Sequence, residues 1–195
     1  LMSGTSMDGL DCGLFNISLT DEYKLDWSCI EFMTYPYSGD IRQSISNALK
    51  GDELAIKDAD RILGKGFSAI SEKFINERPI DLISTHGQTV DHNDGISTLQ
   101  IGTPKFLSET FQVPVVCNVR QADIDVGGNG APLMPFLDWL LFNNGDSTTI
   151  TLNLGGVANI SYIPASGNRE EVLGFDTGPG MSLMDETCRI IWGIY

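Results

Sequence analysis

The residues best suited to chemistry gather in a few short runs. The first is Ser3-Gly4-Thr5-Ser6-Met7-Asp8-Gly9-Leu10-Asp11, which packs glycines, hydroxyls and carboxylates ahead of the apolar, alternating stretch Cys12 to Leu19. A small, glycine-hinged polar turn opening onto a strand makes a poor core element. It is a good place for backbone N–H groups to meet an anion, because glycine lets the main chain approach closely and adopt φ > 0. Gly4, Thr5, Ser6, Met7, Asp8, Gly9, Leu10 and Asp11 are therefore candidates for holding phosphate, and Asp8 or Asp11 could reach a metal-bound water. The spacing is not that of a GxxxxGK[ST] loop. A plain hairpin turn capped by an aspartate uses the same residue types.

A second group lies mid-chain. His86-Gly87-Gln88-Thr89 follows a short apolar run, and polar side chains at a strand end are well placed to line a crevice. His86 and Gln88 could hydrogen-bond sugar hydroxyls. Arg120, Asp123 and Asp125 precede Gly127-Gly128-Asn129-Gly130. The planar fork of an arginine suits a carboxylate or a polarised oxygen; the plainer alternative is an Arg–Asp pair that pins a long loop. The third group is Asn153-Leu154-Gly155-Gly156-Val157-Ala158-Asn159, a second glycine-hinged hairpin, followed by Asp176-Thr177-Gly178-Pro179-Gly180. Asp176 stands at a strand end just ahead of a helix start, the position of a general base or of an N-cap.

Gly4-Thr5-Ser6-Met7 and His86-Gly87 also resemble the serine and histidine segments of subtilisin-like proteases, which makes a Ser6–His86–Asp triad the rival enzyme reading. That family runs Asp, His, Ser and keeps a helix after its serine, whereas a strand follows here.

The elements that must position these groups alternate between strand and helix patterns. Residues 10–19 and 25–35 read as strands joined by the turn Thr20-Asp21-Glu22. Residues 38–50 read as a helix, and Asp52 caps a longer one whose apolar positions run from Ala55 to Ile75 at helical spacing. Short strands are expected at 80–84, 99–101 and 113–117, a helix at 104–111, and irregular chain at 85–93 and 120–130. A helix opening at Pro132, strands at 148–153, 157–163 and 172–175, and a final helix from Met181 towards Tyr195 complete the pattern. The two strand–glycine turn–strand units form a weak internal repeat. This predicts an α/β fold with a first domain over 1–131 and the start of a second over 132–195.

The chain has 195 residues and a formal net charge of -14, which argues against a nucleic-acid or anionic-membrane surface. Cys12, Cys29, Cys117 and Cys188 are widely spaced with no CxxC, as expected of reduced thiols in the cytoplasm. No apolar run approaches the ~18 residues of a membrane span. The chain begins within one expected strand and stops within a helical pattern, so the second domain is expected to be incomplete.

Taken in order, MSGTSMDGLD, STHGQTV, RQADIDVGGNGAPLMP, NLGGVANISYIP and GFDTGPG resemble the anhydro-N-acetylmuramic acid kinase family. The resemblance implies an actin-like (ribonuclease H-like) ATPase fold, with two related domains around a cleft. It implies ATP, Mg²⁺ and a water molecule as co-reactants, opening of the 1,6-anhydro ring, and phosphorylation of the 6-oxygen in cell-wall recycling. By motif, Gly4 to Asp11 and the Gly155-Gly156 turn would face ATP, and Asp176 would activate water. His86, Gln88, Arg120, Asp123, Gly128, Asn129, Gly130 and Thr177 would face the sugar; the metal ligands are left unknown. A homodimer is the one macromolecular partner expected. Met181, Asn129 and Asp91 replace the family's usual Asn, Gln and aromatic residue. These departures keep open a levoglucosan-type anhydrosugar kinase and a non-catalytic sugar- or nucleotide-binding relative.

Overall fold

The computed structural model describes residues 1–20 and 24–193, which divide into two compact units. Asp21 and Glu22 of the expected first turn, and the end of the last helix at Tyr195, lie outside the described residues. Unit one comprises Leu1–Asn16 and Ser28–Gly130, and unit two comprises Ile17–Trp27 and Ala131–Tyr195. Among the described residues no helix is long and apolar enough to cross a membrane.

The chain starts with β1 (Met2–Ser3), β2 (Gly9–Leu19) and β3 (Leu25–Pro36), then α1 (Gly39–Ala48) and α2 (Glu53–Ile75). There follow β4 (Ile83–Ser84), β5 (Gln88–Asn93), β6 (Ser97–Ile101), α3 (Lys105–Phe111), β7 (Val115–Val116) and α4 (Val119–Asp125). The main sheet runs β3-β2-β1-β5-β6, with β1 antiparallel to β2 and parallel to β5. A parallel pair, β4-β7, lies alongside through Leu1, whose carbonyl accepts from the His86 N–H at 3.0 Å. β4 and β5 therefore read as one line interrupted at Thr85-His86-Gly87, which brings His86 to a break in the strand.

Local chemistry accounts for these elements. Alternation along β2 turns Leu10 and Cys12 inward, and both are fully buried. Asp52 caps α2 by accepting from the Ala55 N–H at 2.8 Å. Ala59, Leu63, Phe67 and Phe74 then line one stripe of α2 and meet Leu10, Ile45, Ile101 and Leu107 in the core. Burial also moves two acids of this core: the Cys12 thiol is pushed up to about 11, and the Tyr37 phenol to about 12. Both stay protonated at neutral pH, so Tyr37 acts as a hydrogen-bond donor.

Unit two holds α5 (Met134–Phe142), β8 (Thr149–Leu154), β9 (Val157–Ile163), β10 (Leu173–Pro179) and α6 (Met181–Trp192). Its sheet is an antiparallel three-strand meander, β10-β9-β8. The helix expected from Pro132 begins instead at Met134, with Pro135 in its first turn. The fold is thus a mixed α/β one. Two segments expected to be irregular are ordered: β5 lies within 85–93, and α4 within 120–130.

Candidate active site

The turn at the front is the tip of the β1–β2 hairpin. The Met7 N–H donates to the Gly4 carbonyl at 3.2 Å, and Met7 takes a left-handed conformation at φ 54. Thr5, Ser6 and Asp8 are exposed at this tip, whereas Gly9 and Leu10 are buried. The Ser6 hydroxyl donates to the Asp8 carboxylate at 2.7 Å, and the Gly9 N–H donates to the same oxygen at 3.1 Å. Asp11 accepts from the Thr34 hydroxyl at 2.5 Å. Of the eight residues assigned to phosphate, Leu10 is a core side chain with no surface to offer, and Asp11 is held by its neighbouring strand. A hydroxyl paired with an exposed carboxylate fits a cation-bridged phosphate better than a bare one, because Asp8 alone would repel the anion.

The root of the hairpin is fixed by a buried relay. Tyr37 donates to Ser3 Oγ at 2.7 Å, and Ser3 Oγ donates to Gln88 Oε1 at 2.7 Å. Gln88 is 1% exposed and its Nε2 donates to the Thr89 carbonyl at 3.3 Å. Its amide is thus committed inside the protein, and the structure corrects the expectation that Gln88 meets a sugar hydroxyl. Its role here is to lock β5 to the front hairpin.

Among the described residues, neither Ser6 nor an aspartate partners His86. Its Nε2 accepts from Arg120 Nε at 2.8 Å, and its Nδ1 lies 2.9 Å from the Gly87 carbonyl. An Nε2 that accepts leaves the ring proton on Nδ1, where it donates to Gly87. Burial lowers the His86 pKa and the nearby Arg120 cation lowers it further, with the Gly87 bond opposing. The Ser6–His86–Asp triad has no geometric basis, since a triad needs the serine on the imidazole.

Arg120 uses its fork twice: Nη1 also donates to the Gly130 carbonyl at 2.7 Å. Asp123 Oδ2 accepts from the Gly130 N–H at 2.8 Å, and the Asp123 carbonyl accepts from the Gly128 N–H at 2.8 Å. The Gly95 N–H holds the Asn129 carbonyl at 3.1 Å. The loop 126–130 is pinned through its backbone by α4, with Arg120 and Asp123 both on Gly130, and by the β5–β6 turn. Asn129 keeps its side chain exposed on this pinned loop. His92 is half-buried, with Nε2 3.0 Å from the Asp94 carboxylate.

A pocket of about 190 Å³ opens at the C-terminal ends of the parallel strands β4 and β7, the usual place for a ligand in an α/β layer. His86 forms part of its wall beside Asp60, Thr85, Gln100, Cys117 and Asn118. Thr85 is 2% exposed, and its hydroxyl has no hydrogen-bond partner among the described residues. None of these neighbours stood out in the sequence, because single polar residues on separate elements carry no spacing signal.

In unit two, the Gly155 carbonyl accepts from the Met181 N–H at 2.8 Å, and the Gly156 carbonyl accepts from the Gly180 N–H at 2.9 Å. A trans peptide points its N–H opposite to its C=O, so the Gly156 N–H faces away from α6. Gly180 is required here: a Cβ would stand 2.4 Å from the Gly155 oxygen. Asp176 lies on β10 where the register shifts against β9, and its carboxylate is exposed. Thr177 is the extra residue of that bulge, and its hydroxyl donates to the Ala158 carbonyl at 3.1 Å. The N-cap of α6 is Gly180, without a side-chain bond, so Asp176 is not spent on capping. Sequence reading also passed over Asp138, a buried acid on α5 that accepts from Thr151 and Ser161 at 2.6 Å each. A lone acid in the apolar run Phe136-Leu137-Asp138-Trp139-Leu140 was the available signal.

The family model for anhydro-N-acetylmuramic acid kinase matches residues 1–194. An anhydro-N-acetylmuramic acid kinase of Caldanaerobacter subterraneus is 33% identical, the match covering 98% of this chain and 52% of the relative. One from Bacillus cereus is 32% identical over 100% of this chain and 53% of its own length. One from Trichormus variabilis is 36% identical over 95% and 51%. The chain spans about half the length of the curated relatives it matches, and it belongs to the anhydro-N-acetylmuramic acid kinase family.

Proposed function

We propose that the protein is an ATP-dependent anhydrosugar kinase that opens the 1,6-anhydro ring of anhydro-N-acetylmuramic acid with water and phosphorylates its 6-oxygen. The observation that carries this reading is Asp176. It is an exposed carboxylate set by a β-bulge within β10, not at the strand end that the sequence pattern suggests, because β10 runs on to Pro179. A carboxylate held by the backbone but free at its oxygens is suited to take a proton from water.

The other residues divide by chemistry. In unit one, the exposed Thr5 and Ser6 at the β1–β2 tip, with the Asp8 carboxylate, are the groups suited to a nucleotide phosphate and its Mg²⁺; in unit two, the Gly155-Gly156 turn is the group suited to a phosphate. When bound, that nucleotide supplies the phosphoryl group, and the cation offsets its charge. On the sugar side, the Arg120–His86 pair fixes a neutral imidazole at the pocket wall, and Arg120 and Asp123 hold Gly128, Asn129 and Gly130 in place. The finer fold assignment, an actin-like ATPase, belongs to the same proposal; each of the two mixed units carries one glycine-hinged hairpin.

Asp176→Asn tests the assignment. The variant of the full-length protein should lose at least ~10²-fold in kcat, the usual scale for removing a positioned base, while calorimetric binding of the sugar persists. Near-normal turnover would remove Asp176 from the role.

A further inference from the structure

The meander of unit two places one polar row beside a packed one. Asn153 on β8 stands directly opposite Asn159 on β9, and Asn159 stands directly opposite Asp176 on β10. Residues directly opposite share a face, so the three side chains rise from the same side of the sheet. Two residues along the strands, Thr151, Ser161 and Gly174 form the neighbouring row of that face. That row is closed by α5: Asp138 holds Thr151 and Ser161, and Pro135 occupies the space that a Cβ on Gly174 would need. The Asn153–Asn159–Asp176 row begins where this cover ends. Asn159 is half-buried and the other two are exposed. Among the described residues, none forms a hydrogen bond with any of the three side chains.

We infer that Asn159 holds the attacking water for Asp176. The inference rests on Asp176 being the base. In the step concerned, the water oxygen forms a bond to the anomeric carbon and one water proton passes to the Asp176 carboxylate. The bond from that carbon to the 6-oxygen breaks, and its electron pair stays on the 6-oxygen, the phosphoryl acceptor. Asn159 Oδ1 accepts the second O–H of the water and so fixes its direction of approach. An amide does this without charge. A carboxylate at the same place would stand about 5 Å from Asp176 and set a like charge beside it. Asn153 is a further strand away, roughly 10 Å from Asp176, and serves as the internal control.

The test uses the full-length protein in a coupled ADP-release assay with anhydro-N-acetylmuramic acid, beside thermal melts of every variant. Asn159→Ala should lower kcat by roughly 10- to 100-fold with the sugar KM within threefold and the melt preserved, and Asn153→Ala should lower kcat less than threefold. Asn159→Asp, which keeps the shape, should move the acidic limb of the kcat–pH profile upward. Wild-type kcat in Asn159→Ala, an unmoved limb in Asn159→Asp, or a kcat loss restored by tenfold more Mg²⁺ would overturn the inference while leaving the kinase reading intact. An inactive wild-type protein would overturn both.

Discussion

His86 is neutral by geometry. Its Nε2 faces a permanent donor, Arg120 Nε, so a proton added there would set two cations and two donors against each other. Burial is the main cause of the lowered pKa, and the Arg120 cation adds to it. In the unfolded chain the ring takes a proton near its ordinary 6.5, whereas the folded ring resists it. The unfolded state therefore binds more protons as pH falls below 6.5, and stability drops over that window; above it the contribution is fully present. Urea denaturation at pH 7.5 and 5.5 should show a larger loss in the wild type than in His86→Asn, and equal losses would contradict this tautomer. The histidine was visible in the sequence. Its partner was not, because Arg120 lies thirty-four positions away on another element. Gln88 shows the converse: the residue type suited a sugar, but a strand buried on the Ser3 side turned it inward.

Strong periodicity made some elements legible. α2 offered a capping aspartate and a regular apolar stripe, and both appear where the pattern put them. β5 was hidden because Gln88-Thr89-Val90-Asp91-His92-Asn93 holds a single aliphatic side chain, although Asp94-Gly95 just beyond is a hairpin-turn signal. α4 was hidden because Arg120, Gln121, Asp123 and Asp125 make it polar, with Asp and Gly crowding its end. Both missed elements act on the loop 126–130, whose last residue shows how tightly it is held. Gly130 has φ +77, and a Cβ would stand 2.9 Å from Ile124 Cδ1. Gly130→Ala should cost about 1–3 kcal/mol from backbone strain and crowding. A thermal melt indistinguishable from wild type would show that the loop relaxes freely.

Across the whole chain, the two units differ in what holds them. Unit one has a continuous core in which Phe67 is fully buried among α2, α3 and β6 residues. Phe67→Ala should cost about 3–5 kcal/mol, read by urea unfolding; a loss under 1 kcal/mol would mean that the core collapses around the gap. Unit two buries Ala158, Ser161, Ile163 and Asp138, while Ile150, Leu152, Leu154, Leu173 and Phe175 remain more than half exposed. The α/β character and the order of its elements were legible from apolar spacing and glycine turns. The allocation of Ile17–Trp27 to unit two was not, because the apolar alternation of residues 10–19 and 25–35 marks no boundary there. The most direct measurement is ADP release by the full-length protein with ATP and Mg²⁺, offered anhydro-N-acetylmuramic acid and levoglucosan in parallel. ADP is expected in proportion to a phosphorylated, ring-opened product with anhydro-N-acetylmuramic acid; no ADP above the sugar-free blank with either sugar would contradict the proposed kinase activity.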